Sequence, residues 1–437
     1  MKGLNCLNYW NFMNLLSGLK REQKEAIGLL QLGTFLEYFD LMLYVHMAVI
    51  LNELFFPKTD PHTSALLSAF AFCSTYVLRP VGALIFGYIG DNIGRKSTVI
   101  ITTMMMSVSC IIMATLPTYA QIGITAAWAV TLCRIIQGIS SMGEIIGAEI
   151  YLTEITKPPM SYPIVSLIGC SSRLGTMVAL GVATLVLTCG IEWRTAFWVG
   201  AAIAVIGSVA RTRLRETPEF LKIKKLRKLA TPKIKRASLK TTAAYFFISS
   251  GPPACLYFSY MYFANILKAQ GISGEFVVKQ NFILSVIEFI AILLITCLSI
   301  KFNPLKILKF KSTAYIILVL LFPLMIGNSE YYPLIFSIQC LSVILTLSGV
   351  PAVPILIKHF PVMNRFTYVS FIYALSRALI YVVTSFGLVY LTEWFGYIGV
   401  SLILLPIAGG FLWGIFHFEN LENLYKKKQG TAVLIAS

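Results

Sequence analysis

The chain is short of charge, and shorter still of acid. Only 13% of its 437 residues are Asp, Glu, Lys or Arg, 57% are hydrophobic, and the mean hydropathy is +0.77. That balance excludes an ordinary soluble domain. The four histidines are dispersed and the nine cysteines form no CxxC pair, so neither a metal site nor a disulfide framework is expected. GxxxxGK[ST], GxSxG, HExxH and GxGxxG are all absent, which removes the common nucleotide, hydrolase, metalloprotease and dinucleotide sites. The chain is therefore not read as an enzyme, and no catalytic residue or cofactor is expected. Residues 1–25 lack an apolar core with a small-residue cleavage site and read as a lead-in rather than a signal peptide.

What the chain has is long apolar runs, at about residues 26–51, 65–90, 98–120, 122–149, 162–188, 194–211, 241–267, 276–300, 312–328, 332–357, 366–390 and 396–418. Most reach the roughly 20 residues that a bilayer requires. They lack strict alternation, which excludes a closed barrel. The expected fold is an all-α membrane protein, with twelve transmembrane helices in two six-helix bundles. The bundles take residues 26–210 and 241–418, with a basic linker at 211–240 and a tail at 419–437. If odd spans run outward, the inner segments hold 28 of the 36 Lys and Arg, and the outer segments hold Lys58, Arg194, Lys268 and Lys279. Both termini are then cytoplasmic. The excess of basic charge becomes a matter of topology and of attraction to the lipid bilayer, not of nucleic-acid binding. Nothing in the sequence names a protein partner.

The remaining basic residues, Arg79, Arg134, Arg173 and Arg377, fall within spans. An ionised side chain there costs roughly 3 kcal/mol on an insertion scale and normally faces a partner or a wet cavity. Acids join them. Glu37, Asp40 and Tyr44 of "GTFLEYFDLMLY" share a helical stripe at i, i+3 and i+7. Such acids can carry a proton, or lock the bundle by pairing with arginines. In "RIIQGISSMGEIIGAEIYLTE", Arg134, Gln137, Ser141 and Glu144 form a second stripe, with Arg134 placed to clamp a carboxylate or to pair with an acid of the first span. Arg173 in "GCSSRLG" and Arg377 in "YALSRAL" either favour a substrate bearing a carboxylate or pair with Glu288 of the eighth span. Tyr257 belongs to the aromatic run "CLYFSYMYFAN" of the seventh span, which reads either as a box for a cationic nitrogen or as ordinary packing. Pro252 and Pro253 are expected to bend that helix.

Between the second and third spans stands "GYIGDNIGRKS". Its Gly87, Asp91, Gly94, Arg95 and Lys96 resemble the loop signature of the major facilitator superfamily. Gly94 permits a tight turn, while Asp91 and Arg95 can latch helix ends at the cytoplasmic face. "GTFLEYFD", "LRP", "RIIQG" with "GE", "LRETPEF" and "FPVMNRFTYVS" are similar to the metabolite:proton symporters of that superfamily, the branch of proline/betaine, 2-oxoglutarate, citrate and shikimate carriers. The resemblance covers about residues 26–418 and adds Glu154 and Glu216 to the expected latch.

Departures accompany it. Thr34, Met142 and Asn92 replace residues usual in the branch, Ser161-Tyr162 stands where Arg-Gly is expected after Glu154, and "CLSIKFNPLKI" has Ile300 in place of an acid. The resemblance implies a secondary transporter of the bacterial inner membrane, working by alternating access on protons and a small-molecule substrate, a carboxylated metabolite or osmolyte. Glu37, Asp40 and Glu144 are the proton-coupling candidates. Arg134, Gln137, Tyr44, Arg173, Tyr257 and Arg377 are the substrate-binding candidates. An exchanger, or a non-transporting sensor of the same fold, is the alternative.

Overall fold

A computed structural model describes residues 19–56, 76–190, 192–229, 237–326 and 331–436. Most of the expected lead-in, the first part of the second span with Lys58, and residues 230–236 of the linker lie outside the described residues. The first half contains α1 (Arg21–Phe55), α2 (Arg79–Asn92), α3 (Arg95–Thr115), a single turn α4 (Tyr119–Ile122), α5 (Ile124–Ile155), α6 (Ser161–Cys189) and α7 (Trp193–Arg211). Helix α8 (Pro218–Leu229) follows in the linker. The second half contains α9 (Leu239–Leu256), a π-helical turn (Tyr257–Tyr262), α10 (Phe263–Ala269), α11 (Gly274–Leu298), α12 (Pro304–Ile326), α13 (Tyr332–Ile344), α14 (Val353–Lys358), α15 (Arg365–Phe395) and α16 (Ile398–Ala436). Among the described residues, eight helices are long and apolar enough to cross a membrane, and two shorter apolar helices, Trp193–Val209 and Tyr332–Ile344, stand beside them.

Local sequence explains the breaks. Pro117 follows the end of α3, and Thr118 and Gln121 then form a capping box that starts α4. Pro252 and Pro253 each remove a backbone donor from α9, and the chain answers with the π-helical turn at Tyr257–Tyr262. The tenth expected span, 332–357, is not one helix. It stops at Ile344 and restarts at Val353, because Gly349 and Pro351 do not sustain a helix between them. Non-helical backbone at such depth is tolerated where it lines a cavity, and Ser348, Gly349 and Val350 do so here.

Two further corrections concern charge. Arg211, assigned by sequence to the solvated linker, ends α7 and is fully buried. Helix α16 runs on past Phe418 into the expected tail, where Glu419 pairs with Lys309, and Glu422 with Lys358 at 2.7 Å.

Helices α1, α3, α5, α6 and α7 pack together, as do α9, α12, α15 and α16. The two groups meet mainly along α2 with α15 and α6 with α11. Gly87 makes the first contact possible: a Cβ there would stand 2.7 Å from the Thr367 Cα, closer than real atoms approach.

Candidate functional site

Between the halves lies a cavity of about 80 Å³, lined from α1, α5, α6, α9, α11, α14, α15 and the break after α13. A smaller one of about 30 Å³ adjoins it and shares Tyr38, Arg173, Pro252 and Arg377. Arg173 is already paired: its Nη1 lies 3.0 Å from Glu288 Oε1, and Tyr260 donates to Glu288 Oε2 at 2.9 Å. This pair joins α6 of one half to α11 of the other.

Arg377 is different. Its guanidinium sits 3.4 Å from the centroid of the Tyr373 ring, and its buried Nη1 has no hydrogen-bond partner among the described residues. An arginine stacked on a ring keeps its in-plane donors available for a carboxylate. Glu149 lines the same cavity. Stripe spacing on α5 selects Glu144 and passes over Glu149, which lies five positions on and therefore on another face.

The first-span acids separate. Glu37 is 1% exposed, and neither carboxyl oxygen has a hydrogen-bond partner among the described residues. Its helix neighbours Thr34 and Tyr38 line the cavity. Asp40 instead approaches Arg134, with Oδ2 at 3.8 Å from Nη1, and accepts from Cys110 Sγ at 3.4 Å. Arg134 also donates to Gln137 Oε1 at 2.8 Å and lies 4.0 Å over the Tyr44 ring. Asp40, Tyr44, Arg134 and Gln137 thus form one buried cluster within the first half, apart from the residues that line the cavity. Tyr257, in the π-helical turn, packs half-buried against the main apolar core. The cavity instead receives Tyr38, Tyr245 and Tyr373.

Glu144 has no free valence. It accepts from Thr102 Oγ1 at 3.3 Å and from Thr103, and it pairs with Arg211. Arg211 reaches it by lying across Gly33, where any side chain would overlap the guanidinium.

On one face, which we term the basic face, the expected latch residues meet in a network of ion pairs and hydrogen bonds that joins the two halves. Asp91 binds Arg95 at 3.1 Å and accepts from the N-terminus of α15, namely Phe366 N at 3.1 Å, Thr367 N at 2.9 Å and Thr367 Oγ1 at 2.8 Å. A carboxylate at a helix N-terminus satisfies otherwise orphaned N–H groups and complements the helix dipole. Glu154 receives Arg95 at 3.4 Å and Arg365 at 3.1 Å, and Arg365 also reaches Glu219 at 2.8 Å. Glu216 accepts from the backbone N–H groups of Arg95 at 3.1 Å and Lys96 at 3.3 Å, so Lys96 enters through its main chain. Burial pushes the Glu216 carboxyl above its ordinary value, against the pull of the Thr217 and Lys96 N–H groups. Sequence spacing missed Arg365, Glu219 and Thr367, which join the latch from distant segments.

Because Arg365 ties both Glu154 and Glu219 to the second half, Arg365→Gln is expected to loosen this face. Amide hydrogen exchange over residues 360–370 should rise at least several-fold while the rest of α15 stays protected. Unchanged exchange would mean that apolar packing alone closes the face.

The family model described as "Sugar (and other) transporter" matches residues 28–247. The chain is 33% identical over 204 residues to a proline/betaine transporter of Salmonella typhimurium, covering 45% of this chain and 41% of that protein. It is 33% identical over 199 residues to the citrate-proton symporter of Salmonella typhi, covering 44% and 46%. These matches span less than half the length of the curated relatives. Among solved structures, the proton:xylose symporter XylE, bound to 6-bromo-6-deoxy-D-glucose, superimposes with a TM-score of 0.74 at 15% identity, covering 90% of this chain and 95% of that one. The human organic anion transporter MFSD10 gives 0.67 at 16% identity, covering 92% and 100%. The likeness to these structures is one of fold. With the match to the family model, it establishes that the chain belongs to the sugar (and other) transporter family and has the twelve-helix major facilitator fold.

Proposed function

We propose that the chain is a secondary transporter coupling protons to the movement of a small carboxylated metabolite or osmolyte by alternating access. The observation that carries this reading is the cavity between the halves, lined by Arg377 with a free donor and by Thr34 and Tyr38, the helix neighbours of Glu37, whose buried carboxyl has no hydrogen-bond partner among the described residues. Arg377 holds the substrate carboxylate. Glu37 holds the proton, because a charged carboxylate without a hydrogen bond at that depth is far more costly than the neutral acid. Opening of the latch between Asp91, Arg95, Glu154 and Arg365 then exposes the cavity to the basic face, taken as the cytoplasmic one by the positive-inside rule. The names of the curated relatives, a proline/betaine transporter and a citrate-proton symporter, support both halves of the reading.

The test uses proteoliposomes holding a pH dye and challenged in turn with betaine, proline, 2-oxoglutarate, citrate and shikimate. Substrate-dependent acidification of the lumen is expected with at least one of them, and its loss is expected in Arg377→Gln. Exchange of labelled substrate without acidification would instead identify an uncoupled exchanger.

A further inference from the structure

We propose that the smaller cavity is a site for a monovalent inorganic anion of chloride's size, held between Arg79 and Arg377. This assignment lies outside the substrate reading and does not depend on what the larger cavity carries.

The argument begins with charge. Three arginines, Arg79, Arg173 and Arg377, line the smaller cavity, and no acid does. Arg173 is neutralised by Glu288 at 3.0 Å. Among the described residues, neither Arg79 nor Arg377 has a carboxylate within the 4.0 Å of an ion pair. Both are nonetheless buried, at 2% and 8% exposure. Two cations without a counter-charge at this depth are costly, and one bound anion offsets both.

Stacking leaves the donors for it. The Arg79 guanidinium lies 4.5 Å from the centroid of the Tyr76 ring, and that of Arg377 lies 3.4 Å from the centroid of Tyr373. A stacked guanidinium gives its face to the ring and keeps its in-plane N–H groups for an acceptor. Arg79 Nε and Arg377 Nη1 are both buried with no hydrogen-bond partner among the described residues. Arg79 stands on α2 of the first half and Arg377 on α15 of the second, so an ion between them also bridges the halves.

Size selects the ion. At about 30 Å³ the cavity has room for a group close to water in size. Water would accept hydrogen bonds there but brings no charge. Sulfate and phosphate are too large, and a metabolite larger still. Chloride is monovalent, compact, and accepts hydrogen bonds from any direction.

The experiment follows thermal unfolding of the purified full chain in a neutral detergent while sodium chloride replaces sodium isethionate at constant ionic strength, so that general screening cancels. Isethionate is a sulfonate too large for the cavity. A ligand that binds only the folded protein raises the unfolding midpoint, and a saturable rise of about 3 °C is expected in the wild type. Arg79→Gln should abolish the rise. It should also be at least as stable as the wild type in isethionate, since it removes a cation that has no counter-charge there. Arg79→Lys, which keeps the charge and loses the planar fork, should respond only at several-fold higher chloride. Arg377→Gln removes the other ligand, covers the case in which Arg79→Gln does not fold, and should lose the response as well.

A wild type indifferent to chloride, a rise that does not saturate, or equal rises in the wild type and both glutamine variants would overturn the assignment. So would an Arg79→Gln variant destabilised equally in both salts, the result expected if Arg79 only packs against Tyr76. If betaine, proline, 2-oxoglutarate, citrate or shikimate reproduced the Arg79-dependent rise in isethionate and chloride did not, the space would belong to the substrate's carboxylate. The inorganic-anion assignment would then fall and the carboxylate reading would stand.

Discussion

Arg211→Met is expected to destabilise the protein by about 3–5 kcal/mol, the usual cost of removing one partner of a buried ion pair. Arg211 is fully buried, pairs with Glu144, and donates to the carbonyl oxygens of Leu29 at 3.2 Å and Leu30 at 3.3 Å. Its loss leaves Glu144 charged and buried among α3, α5 and α7, with only the hydroxyls of Thr102 and Thr103 to satisfy it. The double variant Arg211→Met/Glu144→Gln should recover most of the loss, since neutral groups of similar size often replace a buried pair at little cost. Gly33 supplies an independent arm. Gly33→Ala should be damaging in the wild type, where its Cβ would collide with the guanidinium, and nearly harmless beside methionine. The midpoint of thermal unfolding in detergent measures all four proteins. A silent Arg211→Met would mean that water reaches Glu144.

Arg211 also shows where the sequence stops being readable. Hydropathy reveals spans because each must hide about 20 residues from water, Gly87 and Gly94 are legible because close helix approach and a turn allow few residue types, and Asp91 and Arg95 are legible through the resemblance of their loop to the superfamily signature. A count of charges, however, treats every cation at a helix end as solvated. Whether Arg211 points outward or folds back across Gly33 depends on a neighbour 178 positions away in the chain, as the two residue numbers show. Helical spacing has a similar limit. It gathers Glu37 with Asp40, and Arg134 with Glu144, onto common faces, but it does not say what those faces meet. The structure gives Asp40 to Arg134, Glu144 to Arg211, and Glu37 to no partner among the described residues. Glu149 escaped for the same reason, since it is off the stripe that the spacing selects. The break after Ile344 was hidden because Leu, Val and Ile around Gly349 keep the windowed hydropathy high while Gly349 and Pro351 interrupt the backbone.

Glu37→Gln carries the largest functional effect expected. Inward movement of one proton charge through 100 mV supplies about 2.3 kcal/mol, enough for an accumulation ratio of about fifty. For a zwitterionic substrate the proton's charge is the whole of the charge moved, so this ratio should be read directly from uptake driven by a membrane potential. Glutamine fills the place of a protonated glutamate and cannot release the proton. Accumulation should then fall to a ratio near one, while exchange of substrate across the membrane continues, because exchange returns the carrier without requiring release. Asp40→Asn should act differently. It removes the counter-charge of Arg134 at 3.8 Å while leaving an amide oxygen that can still accept from Cys110, so it should lower stability and exchange together rather than separate exchange from accumulation. The split between the two phenotypes is the decisive reading. If Glu37→Gln still concentrates substrate and Asp40→Asn alone abolishes it, the proton is carried by the cluster of Asp40 and Arg134, and the unpartnered glutamate serves only the packing of α1.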